Sequence, residues 1–313
     1  MILCCGDALI DMIPAADDDG RPAWAAYPGG AVFNTAVALG RLETPAGLLT
    51  GLSSDGFGAM LRAALAAAGV DWGLSVATDR KTTLAFVTLR DGHAAYSFHD
   101  EGSALRMLRA EDVPPLPDAV RALFFGGVSL AAEPCGAAFE ALQAREGAGR
   151  TVMLDPNIRP SFVADAAAYR ARLGRMIGRA DIVKLSDEDL AWLDPADRPL
   201  AARMRAILDS GPELVVVTRG RAGAAAMTRS GLDLAAPARQ AVVVDTVGAG
   251  DAFNAGLLAR LHELGALDPP ALGALDAAAL RSALEQATAA AAVAVSRAGA
   301  QPPTRRELAA LPH

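Results

Sequence analysis

The run Val244-Asp245-Thr246-Val247-Gly248-Ala249-Gly250-Asp251 sets a carboxylate directly after two closely spaced glycines and ahead of a long Ala/Leu-rich stretch. Gly248 and Gly250 allow a tight turn and leave the backbone N–H groups unblocked. Where such a turn opens a helix, its first N–H groups lack partners and the helix dipole adds positive character. The turn is then an anion site. Asp251 would repel a resting phosphate, so a plain phosphate-binding loop has no use for it. It does suit a site where a substrate hydroxyl lies between a carboxylate and a phosphoryl group in transit. Asp251 would take the hydroxyl proton while the amides of Gly248, Ala249 and Gly250 stabilise charge on the phosphoryl group. The same four residues also fit the capping of an ordinary helix, so the elements around them must decide.

Those elements alternate. Short apolar or β-branched runs predict buried strands at Met1–Cys5, Ala46–Leu49, Ala122–Phe125, Thr151–Leu154, Ile182–Lys184, Leu214–Thr218 and Ala241–Val244. Helical patterns fill the gaps at Phe33–Leu42, Phe57–Ala68, Pro134–Glu146, Ala166–Gly178, Pro199–Asp209, Ala249–Leu264 and Arg281–Ser296. This order predicts a three-layer α/β/α core with a mostly parallel sheet and helices on both faces. Two segments break the rhythm. Leu9 to Tyr27 carries strand-like pieces around an Asp17-Asp18-Asp19-Gly20 turn. Thr82 to Phe98 reads as a hairpin, Leu84–Leu89 and His93–Phe98, joined at Arg90-Asp91-Gly92. Together they predict a small β-sheet standing off the main one, spanning about 11–27 and 82–104 within a single domain of 1–313. Its readings are a lid or an inert extension.

Composition narrows the function. The 313 residues are 52% hydrophobic, enough for one large core, and the net charge is -7. A general nucleic-acid binder needs a basic face, which this balance argues against. Lys81 and Lys184 are the two lysines, so a phosphate clamp must lean on Arg, amides and metal. Cys4, Cys5 and Cys135 have no zinc-ligand spacing and read as buried small hydrophobes. The N-terminal run lacks a basic region and reads as a strand rather than a signal peptide. No apolar run reaches the roughly 18 residues of a membrane span, so a soluble cytoplasmic protein is expected. No Gly-x4-Gly-Lys-Ser/Thr run is present, and no Gly-x-Gly-x-x-Gly follows the first strand, which disfavours P-loop kinases and nicotinamide dehydrogenases.

The Gly248–Asp251 run resembles the C-terminal signature of the ribokinase-like (PfkB) carbohydrate kinases, and Gly29-Gly30-Ala31-Val32-Phe33-Asn34 onward resembles their N-terminal one. Gly6–Asp11, Asp155-Pro156-Asn157-Ile158-Arg159-Pro160, Lys184–Asp189, Val217–Gly223 and Ala298–Pro302 are similar to further family segments in the same order. Within the family the chain is most similar to bacterial fructokinases, through Tyr96–Ala104 and the Asp155–Pro160 run. The resemblance implies an ATP-dependent sugar kinase with a ribokinase-like core and a β-sheet lid, using Mg²⁺ and a monovalent cation such as K⁺. It implies that Asp11, Gly29, Gly30, Asn34, Phe98 and Arg159 meet the sugar with Asp251. Lys184, Thr218, Gly220, Gly223, Gly248, Gly250 and Thr288 would serve the nucleotide. Asp189, paired with Ser186 where relatives carry Asn-x-x-Glu, would organise Mg²⁺ through water, and Asp245, Val247 and Gly299 would frame the monovalent-cation site. His99 stands where related fructokinases carry Tyr, which bears on sugar preference. Family lids also pair into homodimers.

Alternatives remain at this level. A 2-keto-3-deoxygluconate kinase needs a cation for the substrate's carboxylate; Asp100 and Glu101 argue against it and Arg106 for it. A nucleoside kinase is a further rival, and a non-catalytic sugar-binding protein is the reading from another class, against which Asp251 speaks.

Overall fold

The structure is a computed structural model and describes residues 1–90 and 93–311. Eight strands form the main sheet in the spatial order Asp233–Ala236, Ala224–Thr228, Leu214–Thr218, Ile182–Ser186, Thr151–Asp155, Ala122–Gly126, Ile2–Gly6, Ala46–Leu49. From Leu214–Thr218 to Ala46–Leu49 neighbouring strands are parallel, and the first two listed are added antiparallel.

Strand alternation sorts the apolar side chains into two cores. Ile2, Cys4, Phe124 and Met153 join the cluster beneath helices Ala31–Arg41, Gly56–Ala67, Ala249–Glu263 and Ala277–Val295. Leu3, Cys5, Phe125 and Leu154 join the opposite cluster beneath Cys135–Glu146, Ala166–Ile177 and Leu200–Leu208. The three layers follow directly. Adjacent Cys4 and Cys5 therefore point into different cores, both as free buried thiols. Helix starts are fixed locally: Asp55, Asp165 and Asp276 accept from the N–H groups of their first turns.

A second, four-stranded sheet runs in the order Pro22–Gly29, Leu9–Ala16, Leu84–Arg90, His93–His99. Both irregular segments of the sequence thus contribute one hairpin each. Of the expected Arg90-Asp91-Gly92 turn, Asp91 and Gly92 lie outside the described residues.

One expected strand is absent. Ala241–Val244 forms none, and Val242 is 81% exposed. β-branched residues signal a strand only where a sheet edge can receive them. Here Ala224–Thr228 and Asp233–Ala236 occupy that edge, and the Val244 N–H donates instead to Val295 O at 2.8 Å. These two edge strands were not legible in the sequence, being Ala-rich and short.

Candidate active site

The C-terminal ends of the parallel strands and the small sheet enclose a cleft of about 610 Å³. Asp251 lies on its floor, in the first turn of Ala249–Glu263 and 7% exposed. That helix opens at Gly248, whose φ of 76° is the left-handed conformation that glycine adopts freely. Asn34 projects from Ala31–Arg41, and its Nδ2 donates to Asp251 Oδ2 at 2.9 Å. Burial pushes the Asp251 carboxyl up to about 7; Asp155 and Asp7 add to the rise, while the Asn34 bond and Lys184 oppose it. A carboxyl poised there is suited to accept a proton near neutral pH.

Asp11 enters from the small sheet. Burial, followed by the charge of Asp7, pushes it up to about 6. Gly29 makes room for it, since a Cβ there would stand 2.1 Å from Asp11 Oδ2. The pleat sets what else faces the cleft. Asp11, Ala85, Val87, Tyr96 and Phe98 share one face of the small sheet by register. Phe98 packs edge-on against Phe162 at 4.7 Å between ring centroids, and Tyr96 stacks beside it. His99 pairs with Leu84 on the other face and meets Phe86 at 5.0 Å, turned away from the cleft.

Asp7 is buried at the end of the first strand and accepts from the Val32 N–H at 2.9 Å and the Val128 N–H at 3.3 Å. Burial raises its carboxyl, and these amides work against the rise. It thereby ties the start of the Asn34 helix to the Gly127 loop. On the opposite wall Arg159 Nη1 donates to Asn157 Oδ1 at 2.7 Å. Beneath them Asp155 and Lys184 form a buried ion pair of 2.9 Å.

The cleft therefore gathers eleven of the nineteen scattered candidates: Asp11, Gly30, Asn34, Phe98, Arg159, Lys184, Asp245, Val247, Gly248, Gly250 and Asp251. Thr218, Gly220, Gly223 and Thr288 do not line it. Thr218 sits beyond it, with Oγ1 donating to Leu185 O at 3.4 Å, and the Thr288 hydroxyl is bonded within its own helix to Glu285 O. Sequence reasoning missed Asp7, Tyr96, Asn157 and the partnership of Asp155 with Lys184. An acid closing an apolar strand, as Asp155 does, or standing directly after one, as Asp7 does, was the available signal.

The cation candidates divide. Asp245 Oδ1 accepts from the Val247 N–H at 3.0 Å and Oδ2 from the Gly299 N–H at 2.8 Å, so the two backbone segments expected around a monovalent cation do meet. Asp189 fits a metal poorly. It is 5% exposed and accepts from Ile158 N–H, Ser186 N–H and the Ser186 hydroxyl, as the capping box of Asp187–Leu193. Among the described residues no group of three or more His, Cys, Asp or Glu side chains is placed to hold a metal ion. A hydrated divalent ion carried mainly by substrate phosphates needs no such cage. No helix among the described residues is long and apolar enough to cross a membrane.

Residues 1–306 match the description "pfkB family carbohydrate kinase". A fructokinase of Rhizobium leguminosarum bv. trifolii is 47% identical over 284 residues, 90% of this chain and 86% of its own. The crystal structure of fructokinase with bound ATP from Xylella fastidiosa superposes with a TM-score of 0.88 at 31% identity, covering 98% of this chain and 96% of that one. A double-mutant fructokinase from Vibrio cholerae O395, in a form bound to fructose, ADP and potassium ion, gives a TM-score of 0.83 at 28% identity and covers 99% and 97%.

Proposed function

The chain belongs to the pfkB family of carbohydrate kinases and is an ATP-dependent sugar kinase, and on that premise we propose that it converts fructose to fructose 6-phosphate. The observation that carries this reading is the buried Asp251, hydrogen-bonded by Asn34 and set directly after the Gly248–Gly250 turn. Asp11, Asn34 and Gly30 would hold the sugar hydroxyls, and Phe98 would cover the ring. Asp251 would accept the proton of the attacking hydroxyl. As that oxygen bonds the γ-phosphorus, the bond from the γ-phosphorus to the bridging oxygen breaks and ADP leaves with the electron pair. The amides of the Gly248–Gly250 turn would take the charge on the equatorial oxygens. The phosphoryl group thus arrives at the positive end of a helix, and the acid sits on the acceptor's side.

A divalent cation, Mg²⁺ by this reading, would travel with the nucleotide and neutralise its phosphates. Potassium binding to the Asp245–Val247 and Gly299 segments is supported by their contact through Asp245 and by the potassium form of the Vibrio cholerae relative. Thr218, Gly220 and Gly223 would lie along the nucleotide's outer end, with Thr288 beside the base. The four-stranded sheet would act as the lid of a single kinase domain, working in the cytoplasm.

A neutral sugar is favoured over an acid one. Arg106, the cation that could have spoken for a carboxylate substrate, is paired with the buried Asp100 at 2.7 Å and does not line the cleft. The test is ADP release measured with fructose, 2-keto-3-deoxygluconate, ribose, tagatose and adenosine. Fructose should give the highest kcat/KM. Preference for the keto-acid or for adenosine would replace the substrate assignment, and silence with all five would favour a binding protein.

A further inference from the structure

Asp155 and Asn254, to which the reaction above gives no role, sit directly behind it, against Lys184, which the resemblance gave to the nucleotide. Asp155 ends the strand Thr151–Asp155, Lys184 lies on the neighbouring strand Ile182–Ser186, and Asn254 stands one helical turn after Asp251. Asp155 Oδ2 accepts from Lys184 Nζ at 2.9 Å and from Asn254 Nδ2 at 2.7 Å. All three residues are more than nine-tenths buried. The ammonium nevertheless borders the cleft: a methyl group added at Gly250 would stand 3.4 Å from Nζ.

We infer that Asp155 and Asn254 are positioning residues that hold the Lys184 ammonium, charged, against the Gly248–Gly250 turn, where it meets the negative charge of the phosphoryl group in transit. The inference rests on the kinase reading. An ammonium has three N–H donors, and one is bound to Asp155, so the others remain for an anion at the turn. Burial alone works to lower the Lys184 pKa, but Asp155 first and then Asp189 and Asp251 outweigh it, so the group stays above its ordinary value. Asn254 supplies the second argument. Its Oδ1 is buried with no hydrogen-bond partner, a cost that an apolar side chain would avoid. The residue makes sense here for its Nδ2, which fixes Asp155 Oδ2 from the side of the Asp251 helix. That bond keeps the counter-ion and the base in one register.

The experiment compares the full-length wild type with Asp155→Asn, Asn254→Ala and Lys184→Met. Steady-state constants for ATP and for the sugar are measured from about pH 6 to about pH 9, alongside thermal midpoints. In Asp155→Asn the shape is kept and the counter-charge is lost, so burial prevails and Lys184 releases its proton within this range. Its kcat/KM for ATP should fall about 10- to 100-fold, as when groups that orient a charged site are removed. The fall should deepen as pH rises, while the KM for sugar stays near the wild-type value. Lys184→Met should be as impaired and lack that pH dependence. Asn254→Ala leaves the ion pair in place and should shift the same constants in the same direction by less; it carries the test if Asp155→Asn does not fold. Variants that lose thermal stability but keep the wild-type KM for ATP and the wild-type pH profile would overturn the inference. A wild type that phosphorylates no sugar would instead overturn the kinase reading on which it rests.

Discussion

Asp251 is caught between stability and chemistry. Burial raises its carboxyl to about 7, against an ordinary value of 3.8. The fold therefore favours the protonated acid while proton transfer needs the carboxylate. Two outcomes follow. First, kcat/KM should fall about tenfold per unit as pH drops below about 7, visible in a pH–rate profile. Second, Asp251→Asn should lower turnover by about 10²- to 10⁴-fold and raise the thermal midpoint at pH 8. The sign is set by linkage. Below the ordinary pKa both states hold the proton and the group is neutral to stability. Between that value and about 7 the unfolded chain releases it and the folded chain does not, so stability is lost as pH rises and stays lost above 7. The amide variant has no charge to bury, and its advantage should shrink as pH falls towards 4. A variant no more stable than wild type would show that Asn34 and Lys184 already compensate the buried charge.

At the scale of elements, the small sheet is fastened where its strands leave the core. Asp55, N-cap of Gly56–Ala67, accepts from the Gly58 N–H at 2.8 Å and also from the Thr82 N–H at 2.9 Å and the Thr82 hydroxyl at 2.7 Å. The Thr83 hydroxyl donates to Ser103 Oγ at 2.8 Å, and the Ala104 N–H to Lys81 O at 2.8 Å. One carboxylate thus caps a core helix and pins the entry to Leu84–Arg90. Asp55→Ala should cost about 1–2 kcal/mol in urea unfolding. If this sheet is the lid, the same change should raise ADP release in the absence of sugar, because a loosened cover admits water as acceptor. Unchanged sugar-free turnover would separate the anchor from water exclusion.

At the scale of the molecule, the small sheet leaves Ile13, Trp24 and Tyr27 more than a third exposed, on or beside its edge strand Pro22–Gly29. An unpaired edge with apolar side chains invites pairing with a second copy. Proposed as a homodimer through this edge, the protein should sediment at twice the chain mass at micromolar concentration. Trp24→Glu should shift it towards the monomer without loss of fold. A monomeric wild type would remove the proposal.

The sequence by itself determined the main alternation of parallel strands and helices and the Gly-rich turn that sets Asp251 in the first turn of a helix. These are local properties, set by a residue's neighbours within one turn or one pleat. Tertiary structure decided who meets whom. Asn34 reaches Asp251 across 217 residues and Asn254 reaches Asp155 across 99. It gave Asp189 the Ile158 N–H as a donor, faced His99 away from the cleft and left Ala241–Val244 without a sheet to join. It also set the acidity of Asp251, because desolvation depends on what the folded chain packs around a carboxyl group and not on the residues beside it in sequence.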